Sequence, residues 1–236
     1  MAHVFRFFAP ADAVLAEGAD VVLAPDDAER VRKVLRLGEG EGIEIVGAAG
    51  EAFAAVVVDP RLGTVRVGAA LPPQPPLAPV EILLALSGAK ADDAVARIAE
   101  LGVAGVSPLL AARRRHDARP DRWRRIVRGA AEQAKLPAIP MVGEPVAFAD
   151  ALAPGAIVCS HEEDDATLDA ALARTARPLR LLIGPEAGFA PEELARARDA
   201  GAPIASLGPT VLRSETAAIA AAVLVVDRLR GSTLPA

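Results

Sequence analysis

The chain has 236 residues, enough for one large domain or two small ones with a substantial core. Apolar residues make up 52% and charged residues 24%, which excludes a disordered polyelectrolyte, and no apolar run approaches the roughly 18 residues a membrane helix needs. The net charge of −5 would argue against a nucleic-acid partner if it were evenly spread, and it is not.

The opening Met1-Ala2-His3-Val4-Phe5-Arg6 lacks a basic lead followed by an apolar core and a cleavage site, so export is not expected. The single cysteine, Cys159, can form no internal disulfide and suits a reducing compartment. Its neighbours Ala156-Ile157-Val158 predict a buried thiol. A cytoplasmic location follows as the expectation.

Residues 1–71 read as β-rich. Gly42–Val46, Ala52–Val58 and Thr64–Val67 are expected strands, with a helix from about Asp26 to Leu35 whose first-turn acids suit the helix dipole. Residues 72–79, in Leu71-Pro72-Pro73-Gln74-Pro75-Pro76-Leu77-Ala78-Pro79, carry five prolines and are expected to be a stiff linker. Residues 80–236 then alternate. Strands are predicted at 80–86, 105–109, 156–159, 179–183 and 203–207, and helices at 91–101, 122–133, 166–176, 191–200 and 215–229. That alternation predicts an α/β fold with a mainly parallel sheet covered on both faces. The stretch Ala217–Val226 reads as a buried core helix.

Ligands of open α/β sheets sit at the carboxyl ends of strands. Two strand-to-helix loops stand out there: 182–193, containing Gly184-Pro185-Glu186-Ala187-Gly188-Phe189, and 206–217, containing Gly208-Pro209-Thr210-Val211-Leu212-Arg213-Ser214-Glu215-Thr216. Glycine lets backbone approach a ligand without a Cβ in the way. Ser214 suits an N-cap and Glu215 a first helical turn, whereas Arg213 places a cation at the positive end of a helix and needs an anionic partner. Neither loop matches G-x-x-x-x-G-K-[ST] or G-x-G-x-x-G, which removes the main support for ATP or dinucleotide binding. A ligand with positive charge and a neutral adenosine suits these loops, whose nearby acids repel polyphosphate.

Other patterns carry less. Ser87-Gly88-Ala89-Lys90 matches S-x-x-K, but no S-D-N or K-T-G follows. The histidines His3, His116 and His161 have no zinc spacing, and His161-Glu162-Glu163-Asp164-Asp165 reads either as a hard-cation site or as acids capping the next helix. Arg113, Arg114, Arg115, Arg119, Arg122, Arg124, Arg125 and Arg128 lie against only Asp117 and Asp121, around Trp123. This cluster is either a solvated helix face or a phosphate-binding surface.

Ile-Gly-Pro-Glu-Ala-Gly-Phe at 183–189 and Leu-Gly-Pro-Thr-Val-Leu-Arg-Ser-Glu-Thr-Ala at 207–217 closely resemble the paired signatures of the bacterial 16S ribosomal RNA uridine-N3 methyltransferases. Ala99-Glu100-Leu101-Gly102-Val103, Ala130-Ala131-Glu132-Gln133 with Ile139-Pro140, and Val34-Leu35-Arg36-Leu37 with the Gly40–Gly42 turn are similar to further motifs of that family. The resemblance covers nearly the whole chain. It departs where Ala187 stands for a usual glycine and where Lys135 and Leu136 occupy the place of a common arginine, while Arg97 supplies the basic residue common before Glu-Leu-Gly.

The resemblance implies a small N-terminal PUA-like β-barrel (1–71) and a C-terminal SPOUT methyltransferase domain (80–236) with a trefoil knot, in a homodimer. It implies S-adenosylmethionine as cofactor, held by Ser160, His161, Ile183, Gly184, Pro185, Glu186, Gly188, Leu207, Gly208, Val211, Leu212, Ser214, Thr216 and Ala217. The implied reaction is attack of uridine N3 on the sulfonium methyl, with S-adenosylhomocysteine leaving; on chemical grounds Arg213 is the expected stabiliser of the resulting anion, with Glu215 or Glu186 orienting it. The implied partner is 16S ribosomal RNA, free or in the assembled small subunit. Arg6, Arg32, Arg36, Arg113, Arg114, Arg115, Arg122, Arg124 and Arg125 are the expected RNA contacts. Other readings are a SPOUT enzyme acting on tRNA or a ribose hydroxyl, and a non-catalytic RNA-binding assembly protein; absence of S-adenosylmethionine binding would favour the latter.

Overall fold

The computed structural model describes residues 4–113, 119–161 and 166–231. The chain divides into two units: residues up to Pro76 together with Ala131–Ile139, and Leu77–Ala130 together with Pro140 onward.

The first unit is one curled sheet of five strands, β1 (Arg6–Phe8), β2 (Asp20–Val22), β3 (Gly42–Val46), β4 (Ala52–Asp59) and β5 (Thr64–Ala70), in the order β1-β3-β4-β5-β2. Only the β1–β3 pair is parallel. Alternation along β5 turns Val65 and Val67 into a core with Phe7, Ile43, Ile45 and Val57. Arg66, on the opposite face, forks onto Asp20 at 2.8 and 3.0 Å. The expected helix is two pieces. Helix α1 (Pro25–Glu29) starts with proline in its first turn and Asp26 and Asp27 at its positive end, and a π-helical turn (Arg30–Leu35) follows. The short strands β1 and β2 have no sequence signal, because three residues are too few to show a period.

The second unit is an eight-stranded sheet made of β6 (Ala78–Leu84), β7 (Val103–Leu110), β8 (Met141–Val142), β9 (Val146–Ala147), β10 (Ala156–Cys159), β11 (Ala166–Thr167), β12 (Leu179–Ile183) and β13 (Ile204–Ser206). Its order is β11-β13-β10-β12-β6-β7-β8, with β9 also on β7, and every pair is parallel. Strand β6 begins inside the proline-rich stretch: Pro79 sits where the register with β7 shifts and before pairing with β12 begins, so its missing N–H costs no ladder bond.

Helices α4 (Phe148–Ala151) and α6 (Pro191–Asp199) pack around Leu83, Val158 and Leu182 on one sheet face. Ile82 and Leu84, which point the other way by strand period, are fully buried too. Contacts to α7 (Ser214–Arg230) from β6 and from α2 (Gly88–Glu100) cover that side. Helix α3 (Pro120–Gln133) follows β7, and α5 (Leu168–Arg174) follows β11.

Three further expectations change. The helix expected over 166–176 is a two-residue strand plus α5, capped by Thr167 Oγ1, which accepts from the Ala170 N–H at 3.3 Å. The α7 cap position is Arg213, with no side-chain cap bond, and Ser214 is the first helical residue. The apolar stretch of α7 is buried only along Ala218, Ala221, Ala222, Val225 and Val226, because a helix meets a sheet on one stripe; Val223 and Leu224 are 44% and 46% exposed. No helix among the described residues is long and apolar enough to cross a membrane.

Candidate cofactor and RNA site

Strands β13, β10 and β12 are adjacent in the sheet, so their carboxyl-end loops meet. Around them lies a cavity of about 340 Å³. The structure brings Ser160 and His161, Ile183 to Glu186, Gly188, Leu207, Gly208, Val211 and Leu212, and Ser214 and Ala217 of α7 to its lining. Thr216 is exposed and does not line it. The sequence reading also missed lining residues Arg113, Cys159, Ala187, Phe189 and Thr210.

The 184–190 loop is held by its own backbone and by two distant side chains. Gly188, at φ +69°, closes a turn by donating its N–H to Pro185 O at 2.9 Å, a conformation that disfavours any Cβ. Gly184 lies so close to Phe189 that a Cβ there would stand 3.1 Å from the ring. Phe189 in turn packs on Phe148 with ring centroids 5.1 Å apart. One oxygen of Glu193 accepts from the Ala190 N–H at 2.8 Å and the other from the Ala112 N–H at 2.9 Å. Arg113 Nη1 donates to Ala187 O at 2.9 Å and Phe189 O at 3.3 Å.

Glu186 and Glu215 both face Lys90, near the start of α2: Lys90 Nζ hydrogen-bonds Glu186 and lies 3.9 Å from Glu215 Oε1. The Glu186 hydrogen bond and the charges of both carboxylates hold the ammonium above its usual pKa, and nearby Arg213 opposes that. The pair is exposed, so its contribution to stability is small. Arg213 lies at the head of α7, outside the cavity lining, with no ion pair among the described residues. Glu215 or Glu186 was expected to orient Arg213; both lie on Lys90 instead, 96 residues from Glu186, a pairing no local pattern encodes.

Cys159, at the end of β10, is buried, and burial pushes its thiol up to about 12. Among the described residues no group of three or more His, Cys, Asp or Glu is placed to hold a metal ion, and the acids 162–165 lie outside them.

The expected RNA contacts separate. Arg6 is 3% exposed: its Nε donates to Glu44 at 2.9 Å and its Nη1 to Lys135 O at 2.6 Å and Leu136 O at 3.1 Å, so it is spent inside the first unit and cannot reach a phosphate. Trp123 is also buried, at 3%, and offers no stacking face. Arg113 is turned onto the cavity loop. Arg122 pairs with Asp92 at 2.6 Å, and Arg124 with Asp121 at 2.6 Å and with Glu144, so tertiary partners supply counter-charge the local sequence lacked. Arg125, Arg32 and Arg36 are exposed without an ion pair among the described residues. Arg114 and Arg115 lie outside the described residues.

A parallel α/β unit with a loop-built cavity at three adjacent strand ends is matched over residues 73–226 by the family model of the RNA methyltransferase domain. The ribosomal RNA small subunit methyltransferase E of Mycobacterium tuberculosis is 32% identical over 224 residues, spanning 86% of this chain and 85% of its own length. A ribosomal RNA small subunit methyltransferase E from Neisseria gonorrhoeae, solved bound to S-adenosyl methionine, superposes with a TM-score of 0.83 at 27% identity, covering 94% of this chain and 96% of its own. A methyltransferase from Legionella pneumophila, in complex with the same cofactor, gives 0.83 and 27% over 98% of each chain. The chain belongs to the ribosomal RNA small subunit methyltransferase E family.

Proposed function

We propose that the protein transfers a methyl group from S-adenosylmethionine to N3 of a uridine in 16S ribosomal RNA. The observation that carries this is the meeting of the 183–189 and 207–217 loops, the two stretches that resemble the family's signatures, around one cavity.

The lining fits the cofactor. The volume lies at the low end of the roughly 300–1,000 Å³ of small-ligand sites. Gly184, Gly188 and Gly208 leave backbone bare, Ile183, Leu207 and Leu212 give apolar walls for an adenosine, and Glu186 gives a carboxylate to a cationic ligand. When bound, the cofactor supplies an electrophilic methyl.

The chain's residues position and polarise the base. Uridine N3 carries a proton at neutral pH that must pass to water, so the site must stabilise the anion that forms on its flanking carbonyl oxygens. Arg213, without an ion pair among the described residues, supplies that positive charge at the head of α7. Glu186 and Glu215 engage Lys90 beside it, not Arg213 itself. Arg125 with Arg32 and Arg36 contacts phosphates, free or in the assembled subunit. The first unit is a PUA-like barrel that holds RNA. The second is a SPOUT domain with a trefoil knot, and a second copy covers Val223 and Leu224 of α7 in a cytoplasmic homodimer.

The test is Arg213→Ala. Loss of one transition-state donor lowers turnover about 10²–10³-fold. S-adenosylhomocysteine affinity stays unchanged by calorimetry, and mass mapping of 16S ribosomal RNA reports the loss at uridine N3. Normal turnover with the cofactor bound removes Arg213 from the reaction.

A further inference from the structure

Arg113 was expected on the RNA. The structure instead turns it into the cavity, although β7, which it follows, is separated from β12 by β6 in the sheet. Its base is fixed: Glu193 ties the neighbouring Ala112 N–H and the Ala190 N–H of the loop to one carboxylate. Both of its hydrogen bonds, to Ala187 O and Phe189 O, leave from Nη1. A guanidinium has five N–H donors, so Nε and Nη2 keep three in one plane. Among the described lining residues Arg113 is the one lysine or arginine, while the one acidic residue, Glu186, is engaged by Lys90.

We propose that Arg113 binds the α-carboxylate of the cofactor's amino-acid tail, making that tail a specificity element of the cavity. The inference rests on the cofactor reading above. The ligand carries two cationic groups, sulfonium and ammonium, and a single anionic one. A planar fork, held by two carbonyls on one nitrogen and free on the other two, has the geometry for a carboxylate. The same contact joins β7 to the loop over the cofactor, so the tail completes a link that Ala187 O and Phe189 O begin.

Calorimetry on the full chain tests this with S-adenosylhomocysteine and with S-adenosyl-3-thiopropylamine, which lacks only the carboxylate. The wild type should prefer the former by roughly 10–100-fold, as for a charge-assisted hydrogen-bonded pair. Arg113→Met should reduce that preference to within about threefold, mainly by weakening S-adenosylhomocysteine, and Arg113→Lys should fall between, because an ammonium is a point charge and not a fork. Circular dichroism and Tm report whether each variant folds, and Arg113→Lys keeps the test alive if Arg113→Met does not. An undiminished preference overturns the proposal. So does an equal loss of both ligands, which would leave Arg113 only bracing the loop. Unchanged cofactor affinities with a smaller salt slope of RNA binding would return Arg113 to the RNA. If neither ligand binds the wild type, the cofactor reading falls, and this inference with it.

Discussion

Replacing Arg6 with methionine separates a structural arginine from an RNA-binding one. The Arg6 guanidinium meets Glu44 Oε2 at 2.8 Å through Nη2, and through Nη1 it reaches Gln74 at 3.2 Å and the carbonyls of Lys135 and Leu136. Methionine fills most of the volume but leaves those carbonyls without this donor. Removing one partner of a buried pair costs about 3–5 kcal/mol. Glu44 keeps Lys135 at 2.7 Å and its side chain is 15% exposed, so the lower end, about 3 kcal/mol, applies. That corresponds to a roughly 100-fold faster opening-limited hydrogen exchange. Exchange followed by mass spectrometry in peptides covering 4–9, 42–46 and 131–139 reads it directly.

The pH dependence has a defined sign. Burial opposes ionisation of Glu44, but hydrogen bonds from Lys135 and Arg6 outweigh it and hold the carboxyl below its usual range. A lowered folded pKa gives stability that is complete above the unfolded value of about 4.3 and is lost as pH falls through the lowered one. The wild type and Arg6→Met should therefore differ by a constant amount near neutrality, and the gap should narrow below about pH 4 to the part owed to the Lys135 and Leu136 carbonyls. Unchanged protection in the variant, together with weaker RNA binding and a salt slope smaller by about one, would refute the structural assignment.

Two further outcomes are expected. Gly184→Ala places a Cβ 3.1 Å from the Phe189 ring, which is itself packed on Phe148; stability should fall by about 1 kcal/mol and S-adenosylhomocysteine affinity by about tenfold, and calorimetry showing neither would mean the ring yields freely. The Cys159 thiol, pushed up to about 12 by burial, should resist iodoacetamide at pH 8 in the native protein and react fully in denaturant; equal rates in both states would place it at the surface.

Much of the second unit was legible because its elements are long enough to show their periods. Strand β10 over Ala156–Cys159 and strand β12 over Leu179–Ile183 match their apolar runs, and α6 starts at Pro191 as its proline and acids indicate. The strands that escaped, β1, β2, β8, β9 and β11, are two or three residues long and exist through their partners, and the one-turn helix α4 escaped with them. The two signature loops were legible at strand ends from their glycines and prolines, and the family resemblance supplied most of their lining residues. Arg113, Lys90 and Phe189 were not legible, because each reaches the site from a separate element or through a fold-dependent turn.

The basic segment shows the division most clearly. Its sequence determined that many positive charges would lie close together, and that the two glycine-bearing loops would stand at strand ends. Which arginines remain available was decided by tertiary structure: Asp92 and Glu144 approach Arg122 and Arg124, and Ala187 and Phe189 turn Arg113 into the cavity. Arg6 was decided in the same way, by Glu44 and two carbonyls more than a hundred residues away. A charge pattern is local, but the counter-charge and the burial that set each side chain's role come from residues that only the folded sheet brings within a few ångströms.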